Sequence, residues 1–291
     1  MHRFLALSGM SAAALLALSG GAEFNGQRAL DYTAHMVSFG ERPSGSAANT
    51  RTAEYIERRI RMLPCRLSED RFNAQTPAGA VPMRNIIADC GGDPGARLLV
   101  ISGHYDTKRL PGFVGANDGG SSAGLLLELA QAVAARKWKH QVRLVWFDGE
   151  EAVRPEWTTT DSVYGSSHLA HRWQQDGTLP RIDALINVDM IGDKDLDIVQ
   201  EQGSSQALNK LVWQVAADLR HQDAFQDASG AIDDDHMPFR RLGVNAIDLI
   251  DFDFGPRNSY WHTPQDTMDK LSAHSLQVVG SVVLETLERL D

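Results

Sequence analysis

The chain has 291 residues, of which 43% are hydrophobic and 23% charged, a composition typical of globular proteins. This length is sufficient for one large α/β domain, and no repeat, heptad pattern or Pro/Ser-rich linker divides the chain. The formal net charge of −10 argues against a nucleic-acid partner, because proteins that bind a phosphate backbone present a basic face.

Residues 1–22 have the pattern of a secretory signal peptide. The basic segment MHR precedes the apolar stretch FLALSGMSAAALLAL, and Gly20 and Ala22 provide small residues for cleavage. We therefore expect cleavage after Ala22, export to the periplasm or the medium, and a mature catalytic domain of residues 23–291. An uncleaved membrane anchor is the alternative, but Ser8 interrupts the apolar run, which is shorter than the roughly 20 residues of a membrane span.

The next predicted elements are a helix and a hairpin that contains both cysteines. The segment NTRTAEYIERRIRML has apolar residues at helical spacing. Two extended segments, 65–74 and 83–90, then flank the turn-rich sequence QTPAGAVP. In an antiparallel pair the start of the first strand lies beside the end of the second, which would bring Cys65 next to Cys90. A disulfide there would contribute about 3 kcal/mol in the chain-entropy model; two separate thiols are the alternative.

Predicted strands and helices alternate over the rest of the chain. The predicted strands are RLLVISGHYD, QVRLVWFD, DALINVDMIG and VNAIDLID. The predicted helices are SSAGLLLELAQAVAARK, GSSHLAHRWQQ, a segment marked by Leu208, Leu211, Val212, Val215 and Leu219, and the C-terminal segment. Most of these strands are continuous apolar runs, which is typical of a parallel sheet covered by helices on both faces. The sequence therefore predicts a single α/β domain with a mostly parallel central sheet and an N-terminal antiparallel hairpin.

Carboxylates and histidines follow the ends of these predicted strands or begin the loops between them. They are His104, Asp106, Asp118, Glu150, Glu151, Asp189 and His262. Each alone has an ordinary interpretation as a cap, a turn residue or a surface residue. In parallel sheets, however, ligands bind beyond the carboxyl ends of the strands, so these side chains are expected at one edge. Imidazole and carboxylate without thiolate fit a catalytic zinc site.

We expect the adjacent glutamates of this set, Glu150 and Glu151, to have separate roles. Neighbouring residues of an extended segment point in opposite directions, so that one glutamate can bind a metal while the other faces the substrate.

A serine hydrolase is an alternative, because GSSAG at residues 120–124 matches the pattern G-x-S-x-G. That pattern places the serine directly after a strand. Here a loop broken by glycine and proline precedes Ser121, so we interpret Ser121 and Ser122 as residues that begin and cap a helix.

Several separate motifs resemble one known superfamily. The segments GHYDT, GANDGGSSAGLLLELA, FDGEEA, NVDMIG and YWHTPQDT resemble the zinc-dependent exopeptidases, which include secreted aminopeptidases and glutaminyl cyclases. Two further segments, EEAVRPEWTTTDSVYGSSHLA and DDHMPFRRLGVNAIDLI, are similar to glutaminyl cyclases in particular. The resemblance covers nearly the whole mature chain. It implies a zinc-dependent acyltransferase that converts the N-terminal glutamine of peptides or proteins to pyroglutamate and releases ammonia.

The resemblance also implies roles for individual residues. Asp118, Glu151 and His262 would bind the catalytic zinc, and Glu150 would be the acid/base. Asp189 and Asp234 would form a hydrogen-bonded carboxylate network beside Glu150, and Trp157 and Trp261 would line the substrate pocket. In the aminopeptidases, residues that correspond to His104 and Asp189 hold a second zinc. We therefore expect one zinc ion in a cyclase and two in an aminopeptidase.

Some positions depart from the glutaminyl cyclase pattern. Asp248 stands where the animal enzymes carry a histidine, and the loop that contains Phe252 and Phe254 is longer than theirs. The residues around Asp118 and after His262 look more like those of aminopeptidases, which leaves a zinc aminopeptidase as the alternative function. A non-catalytic peptide-binding homologue is a third interpretation, but such a chain is expected to have lost catalytic residues that are present here.

Overall fold

The computed structural model describes residues 23–291, and the predicted signal peptide lies outside this range. The helices of the described part are α1 (Gly26–Val37), α2 (Ala47–Ile60), α3 (Gly120–Ala134), α4 (Tyr164–Gln175), α5 (Gln206–Asp218), α6 (His236–Arg241) and α7 (Ala273–Leu290). The strands are β1 (Arg66–Thr76), β2 (Gly79–Gly91), β3 (Leu98–His104), β4 (Gln141–Phe147), β5 (Ile182–Asp189), β6 (Ile198–Glu201), β7 (Phe225–Gly230) and β8 (Ala246–Ile250). Short 3₁₀ turns occur at Leu179–Arg181 and Met268–Lys270.

Six of these strands form the central sheet, in the order β1-β2-β4-β3-β5-β8. The pairs β4–β3, β3–β5 and β5–β8 are parallel, whereas β1 and β2 are antiparallel and attach to β4. The predicted α/β domain with a mostly parallel sheet is confirmed. The small parallel pair β6–β7 and helix α1 are additions that the sequence analysis did not predict.

The two faces of the sheet are covered by different helices because successive strand residues point in opposite directions. Leu99 and Ile101 of β3 belong to the core beneath α1, α2, α3, α5 and α7. Leu98 and Val100 of the same strand pack on the other face with residues of α4 and α6. Strands that are buried on both faces explain why their sequences are continuous apolar runs.

The hairpin of β1 and β2 carries the disulfide. Arg66 pairs with Asp89, which places the neighbouring cysteines side by side at the open end of the hairpin. The bond joins Cys65 and Cys90, whose Cα atoms are 4.3 Å apart. The predicted disulfide is confirmed.

The two outer strands of the sheet are β1 and β8. On the outer side of β8, Ser205 N–H donates to the carbonyl of Ala246 over 2.8 Å, and Asp248 N–H donates to Ser204 Oγ over 2.9 Å. On β1, the side chains of Arg66 and Arg71 are 65% and 64% exposed.

No helix within residues 23–291 combines the length and the apolar character needed to cross a lipid bilayer.

Candidate active site

The parallel strands deliver the predicted polar side chains to one edge of the sheet. Strand β3 ends at His104 and β5 ends at Asp189, while β4 ends at Phe147, just before the two glutamates. Gly149 adopts a φ of +73°, and a Cβ atom there would lie 2.4 Å from Met83 Sδ. The positive φ therefore favours glycine at the turn that positions Glu150 after β4.

Asp106 holds the backbone of both glutamates. The N–H groups of Glu150 and Glu151 donate to its two carboxylate oxygens over 3.2 and 3.4 Å. All three carboxylates are buried, with Glu150 and Glu151 only 6% and 5% exposed. Their backbones are thus fixed by one acceptor group, and their side chains diverge from a common support.

One group of ligand atoms comes from Asp118, Glu151 and His262. Each residue offers an atom that lies within 4.8 Å of the others. His262 Nε2 is 3.2 Å from Asp118 Oδ2 and 3.2 Å from Glu151 Oε1. The structure therefore brings the three predicted zinc ligands together from three separate loops.

A second group comes from His104, Asp118 and Asp189. His104 Nε2 lies 3.2 Å from Asp118 Oδ1 and 3.1 Å from Asp189 Oδ1. Asp118 belongs to both groups and offers one oxygen to each. This is the arrangement of a carboxylate that can bridge two cation positions.

The donor atoms of the first group fit a zinc ion. Zinc in catalytic sites binds imidazole nitrogen and carboxylate oxygen and keeps a position open. Asp118 Oδ2 and Glu151 Oε2 are buried and accept no well-aligned hydrogen bond from residues 23–291. Their nearest cationic groups are His262 Nε2 at 3.2 Å and Lys108 Nζ at 3.5 Å, so both oxygens keep lone pairs available to a metal. Burial lowers the pKa of His262, but the carboxylates of Asp118 and Glu151 outweigh this effect and raise the pKa to about 9. The surrounding charge therefore favours a cation at this position.

Glu150 belongs to neither group and faces the cavity. Its Oε2 atom lies 3.9 Å from His104 Nδ1. Burial raises the pKa of Glu150 well above its usual value; His104 opposes this shift, and the nearby carboxylates of Glu151 and Asp234 add to it. A carboxyl group of raised pKa is suited to accept and return a proton near neutral pH.

The predicted carboxylate network takes a specific form. Asn187 Nδ2 donates to Asp234 Oδ2 over 3.0 Å and to Asp248 Oδ1 over 3.1 Å. Burial raises the pKa of Asp234 to about 6, and the neighbouring charge of Asp189 acts in the same direction. The amide of Asn187 therefore connects Asp234 to Asp248. Asp189 makes a separate contact, with its Oδ1 atom 3.1 Å from His104 Nε2.

A cavity of about 250 Å³ opens beside these groups. Both predicted tryptophans, Trp157 and Trp261, line it. The other lining residues are Lys108, Asp118, Glu150, Glu151, Pro155, Asp189, Met190, Ala231, Ile232, Asp233, Asp234, Ile250, Phe252 and His262. The indole Nε1 of Trp157 is buried and has no hydrogen-bond partner within the described residues, so it is a donor available to a ligand. The cavity thus combines apolar walls with a carboxylate floor.

The two phenylalanines of the longer loop have different positions. Phe252 is 38% exposed, lines the cavity and packs edge-on against Trp261 at 4.9 Å between ring centroids. Phe254 is fully buried against Tyr260. Phe252 is therefore the member of the pair that faces the cavity.

The serines at the start of α3 do not have the predicted capping role. The N-cap residue is Gly119, with a φ of 76°, and no side chain caps the helix. Ser121 Oγ donates to the carbonyl of Asn117 over 2.6 Å, and Ser122 Oγ donates to Asp189 Oδ1 over 3.3 Å. The helix begins at Gly120, so both serines lie inside its first turn, and both hydroxyls are bound to acceptors instead of to a histidine base.

Comparison with known proteins agrees with this geometry. The sequence model of peptidase family M28 matches residues 85–287, which include every ligand and acid/base candidate described above. The chain belongs to peptidase family M28.

Several proteins that are similar to this M28 protein are named for a more specific activity than the family is. A glutaminyl-peptide cyclotransferase of Drosophila melanogaster is 34% identical over 251 residues, which cover 76% of this chain and 69% of that protein. The crystal structure of a glutaminyl cyclase from an Acidobacteriales bacterium is 39% identical, with a TM-score of 0.90 over 96% of this chain and 99% of that one. A Zn-dependent exopeptidase from Parabacteroides distasonis is 26% identical, with a TM-score of 0.82 over 92% and 99% of the two chains. The resemblance noted in the sequence is confirmed.

One departure from the glutaminyl cyclase pattern lies behind the cavity wall in this M28 protein. Asp248 is fully buried, and its Oδ2 atom lies 3.9 Å from His236 Nδ1. Burial raises the pKa of Asp248 well above its usual value, and the charge of Asp234 adds to this shift. In this chain Asp248 therefore supports the carboxylate network through its bond to the amide of Asn187.

The sequence analysis missed one charged residue of the site, Lys108. Its backbone N–H donates to Glu151 Oε1 over 3.1 Å, and its ammonium group lies 3.5 Å from Glu151 Oε2. Lys108 is only 3% exposed. Its position directly after the GHYDT motif was the available signal, because that loop follows the carboxyl end of a strand.

Proposed function

We propose that this chain is a glutaminyl-peptide cyclotransferase, which converts the N-terminal glutamine of a peptide or protein to pyroglutamate and releases ammonia. The observation that carries the proposal is the position of Glu150, a buried carboxyl group of raised pKa in the wall of a largely apolar cavity, beside a separate set of metal-ligating atoms. The relatives named glutaminyl cyclase, with up to 39% identity among those described, support it.

The residues proposed to hold one zinc ion are Asp118, Glu151 and His262. Two buried carboxylate oxygens of this group that accept no well-aligned hydrogen bond within residues 23–291, together with His262 Nε2, support the assignment. The zinc-dependent relative supports the identity of the metal. When bound, zinc acts as a Lewis acid that polarises a carbonyl oxygen.

Glu150 performs the proton transfers in this proposal. The substrate's own α-amino nitrogen attacks the γ-amide carbon, and Glu150 accepts the proton that the nitrogen loses. Glu150 then returns that proton to the departing amide nitrogen, which leaves as ammonia. The new C–N bond closes the pyroglutamate ring, and no water is consumed.

The remaining predicted residues support and enclose the substrate. We assign Asp189 and Asp234 to the buried carboxylate group beside Glu150. Burial raises the pKa of Glu150, and the like charge of Asp234 adds to this effect. Trp157 and Trp261 would enclose the glutamine side chain, and the free N–H of Trp157 would donate to an oxygen of the substrate.

A zinc aminopeptidase remains the second candidate because His104, Asp118 and Asp189 form a further group of ligand atoms. In that reaction Glu150 would take a proton from water, which would cleave the first peptide bond. Both reactions use the same acid/base and differ in the nucleophile.

The deciding experiment compares two peptides that differ in the first residue, glutamine or leucine, with and without a zinc chelator. Ammonia release and pyroglutamate formation from the glutamine peptide alone, lost with chelator, would support the cyclase. An N-acetylated glutamine peptide is the control, because its blocked nitrogen has no free pair for the attack. Chelator-sensitive release of leucine would instead establish the aminopeptidase, and turnover of neither peptide would favour a binding protein.

We further propose that the chain is exported and that residues 1–22 are removed. The Cys65–Cys90 disulfide supports export, since disulfides persist in oxidising compartments. N-terminal sequencing of the protein recovered outside the cytoplasm tests this, with Glu23 expected as the first residue.

A further inference from the structure

Two of the loops that carry the proposed zinc ligands meet at Asp266. This residue lies four positions after His262 and is fully buried. Its carboxylate accepts two backbone N–H groups of the other loop, from Asn117 to Oδ1 over 2.7 Å and from Asp118 to Oδ2 over 3.1 Å. Its carbonyl oxygen also accepts from Ala116 N–H over 3.4 Å. A single residue of the His262 loop thus binds three consecutive N–H groups of the Asp118 loop.

The same residue also closes the turn that directly follows His262. Asp266 N–H donates to the carbonyl of Thr263 over 3.1 Å. His262 has a φ of 52°, a left-handed conformation that is unfavourable for a residue with a Cβ atom. Such conformations persist where the surrounding contacts determine them. The bonds of Asp266 supply contacts of this kind on the C-terminal side of His262.

The Asp118 loop is fixed on its other side by Asn117. Asn117 Nδ2 donates to the carbonyl of Met190 over 3.1 Å, and Gly192 N–H donates to Asn117 Oδ1 over 2.8 Å. Met190 directly follows Asp189. The loop between β3 and α3 is therefore hydrogen-bonded to two other loops. Its backbone binds the loop of Asp266, and the side chain of Asn117 binds the loop that follows β5.

We propose that Asp266 is a positioning residue that joins the loops of Asp118 and His262 and thereby sets the zinc affinity of the site. This inference rests on the zinc site of the proposed function. The bonds of Asp266 join backbone N–H groups and do not use the metal-ligating atoms, so in this proposal they hold two of the three ligands in place before zinc binds.

The test is the zinc dissociation constant of Asp266→Asn, measured by equilibrium competition with a chromogenic chelator. The amide has nearly the same shape, but its NH₂ group must face one of the two backbone donors, so at least one hydrogen bond is lost. We expect the dissociation constant to rise about 10–100-fold, as for other residues that support metal ligands.

Asp251→Asn is the matched control. Asp251 is also fully buried, and its two oxygens accept from the N–H groups of Asp197 and Asp253, each over 3.1 Å. This variant should lower the free energy of unfolding of the zinc-free protein yet change the zinc dissociation constant by no more than about twofold. If Asp266→Asn destabilises the protein in the same way and binds zinc as the wild type does, Asp266 is merely structural and the proposal is wrong.

Hydrogen exchange of the wild type provides a test that does not depend on folding of the variant. The amides of Asn117 and Asp118 should be protected in the chelator-treated protein, before zinc is added. Fast exchange that slows only with zinc would mean that the metal orders the loop, which would overturn the proposal. Failure of the wild type to bind zinc at all is a separate result and would reject the metal site itself.

Discussion

Glu150 and Glu151 are adjacent in the chain, yet their carboxylates face different partners. Glu151 Oε1 lies 3.2 Å from the imidazole of His262, whereas Glu150 Oε2 lies 3.9 Å from His104 on the far side of the site. The separate roles expected of an adjacent pair in an extended segment thus have a geometric basis. One acceptor, Asp106, supports both backbones, so that the two carboxylates keep a fixed relation to each other.

Replacing Glu150 with glutamine should remove activity without removing the metal. The amide keeps the shape of the side chain but cannot accept the proton of the substrate, and general-base catalysis contributes about 10²–10⁴-fold. We expect kcat to fall by at least that factor while zinc content, measured by atomic absorption, stays at the wild-type level. Glu156→Gln, at an exposed position of the following loop, is the control and should retain activity. Loss of zinc from Glu150→Gln would contradict the separate roles of the two glutamates.

Replacing His262 with alanine should release the metal. The change removes one of three ligands, and loss of even a supporting residue outside the ligand set costs about 10–100-fold in affinity. We expect the zinc dissociation constant to rise by more than about 100-fold in chelator competition. His168→Ala removes a histidine that binds Asp70 over 2.9 Å outside both ligand groups, and it should leave zinc binding intact. Equal zinc content in the two variants would reject His262 as a ligand.

Replacing Trp157 with phenylalanine tests the unpartnered indole donor. The aromatic ring and most of the cavity wall remain, and one hydrogen bond to substrate is lost. A hydrogen bond contributes about 1 kcal/mol, so kcat/KM should fall about fivefold. Trp138→Phe is the control. In the wild type, Trp138 Nε1 donates to the carbonyl of Val133 over 2.9 Å, so the loss of this donor should leave kcat/KM unchanged. If both variants match the wild type, Trp157 does not donate to the substrate.

The stability of the protein should depend on pH through Glu201. Burial acts to raise the pKa of Glu201, but hydrogen bonds from His236, Gly203 and Ser204 outweigh it and lower the pKa from 4.5 to about 2. A lowered pKa means that the folded state favours the charged form, so this stabilisation is complete above pH 4.5 and is lost as the pH falls through 2. It amounts to about 3 kcal/mol at neutral pH.

Urea unfolding of the zinc-free wild type and of Glu201→Gln measures this contribution. The difference in the free energy of unfolding should be about 1 kcal/mol smaller at about pH 3.5 than at pH 7. A difference that does not change with pH would show that the glutamine variant loses packing or hydrogen bonds rather than charge.

Opening the disulfide should lower stability and leave chemistry intact. The bond spans 25 residues of sequence at the open end of the β1–β2 hairpin. Replacing both Cys65 and Cys90 with serine should lower the free energy of unfolding by about 3 kcal/mol in the chain-entropy model. The values of kcat and KM should remain at the wild-type level, since the cysteines lie outside the cavity lining. A large fall in kcat would mean that the hairpin positions the site.

Much of the sheet and the main candidate residues were predictable because they depend on local patterns. Apolar runs such as that of β3 reveal buried parallel strands, and the residues after such strands must lie at one edge. Strand β7 gave no such signal, because its sequence FQDASG is mostly polar and exposed. Helix α1 does carry a helical signal, since Ala29, Tyr32 and Met36 recur at helical spacing and are buried together.

The contacts between loops were not predictable from local pattern. Asp266 binds residues 148 and 149 positions earlier in the chain, and no spacing rule connects the two segments. The same holds for Asn187, which connects Asp234 to Asp248 through one amide group. Such contacts depend on how distant loops meet in the folded protein, which local sequence spacing does not encode.

The two ends of the central sheet have a consequence for the behaviour of the protein in concentrated solution. An outer strand with unpaired backbone groups is a template on which another chain can add a strand and begin to aggregate. On β8, backbone groups of Ala246 and Asp248 are already bound to Ser205 and Ser204. On β1, the exposed arginines Arg66 and Arg71 place charge where an incoming strand would have to lie. Both borders of the sheet thus disfavour self-association by strand addition.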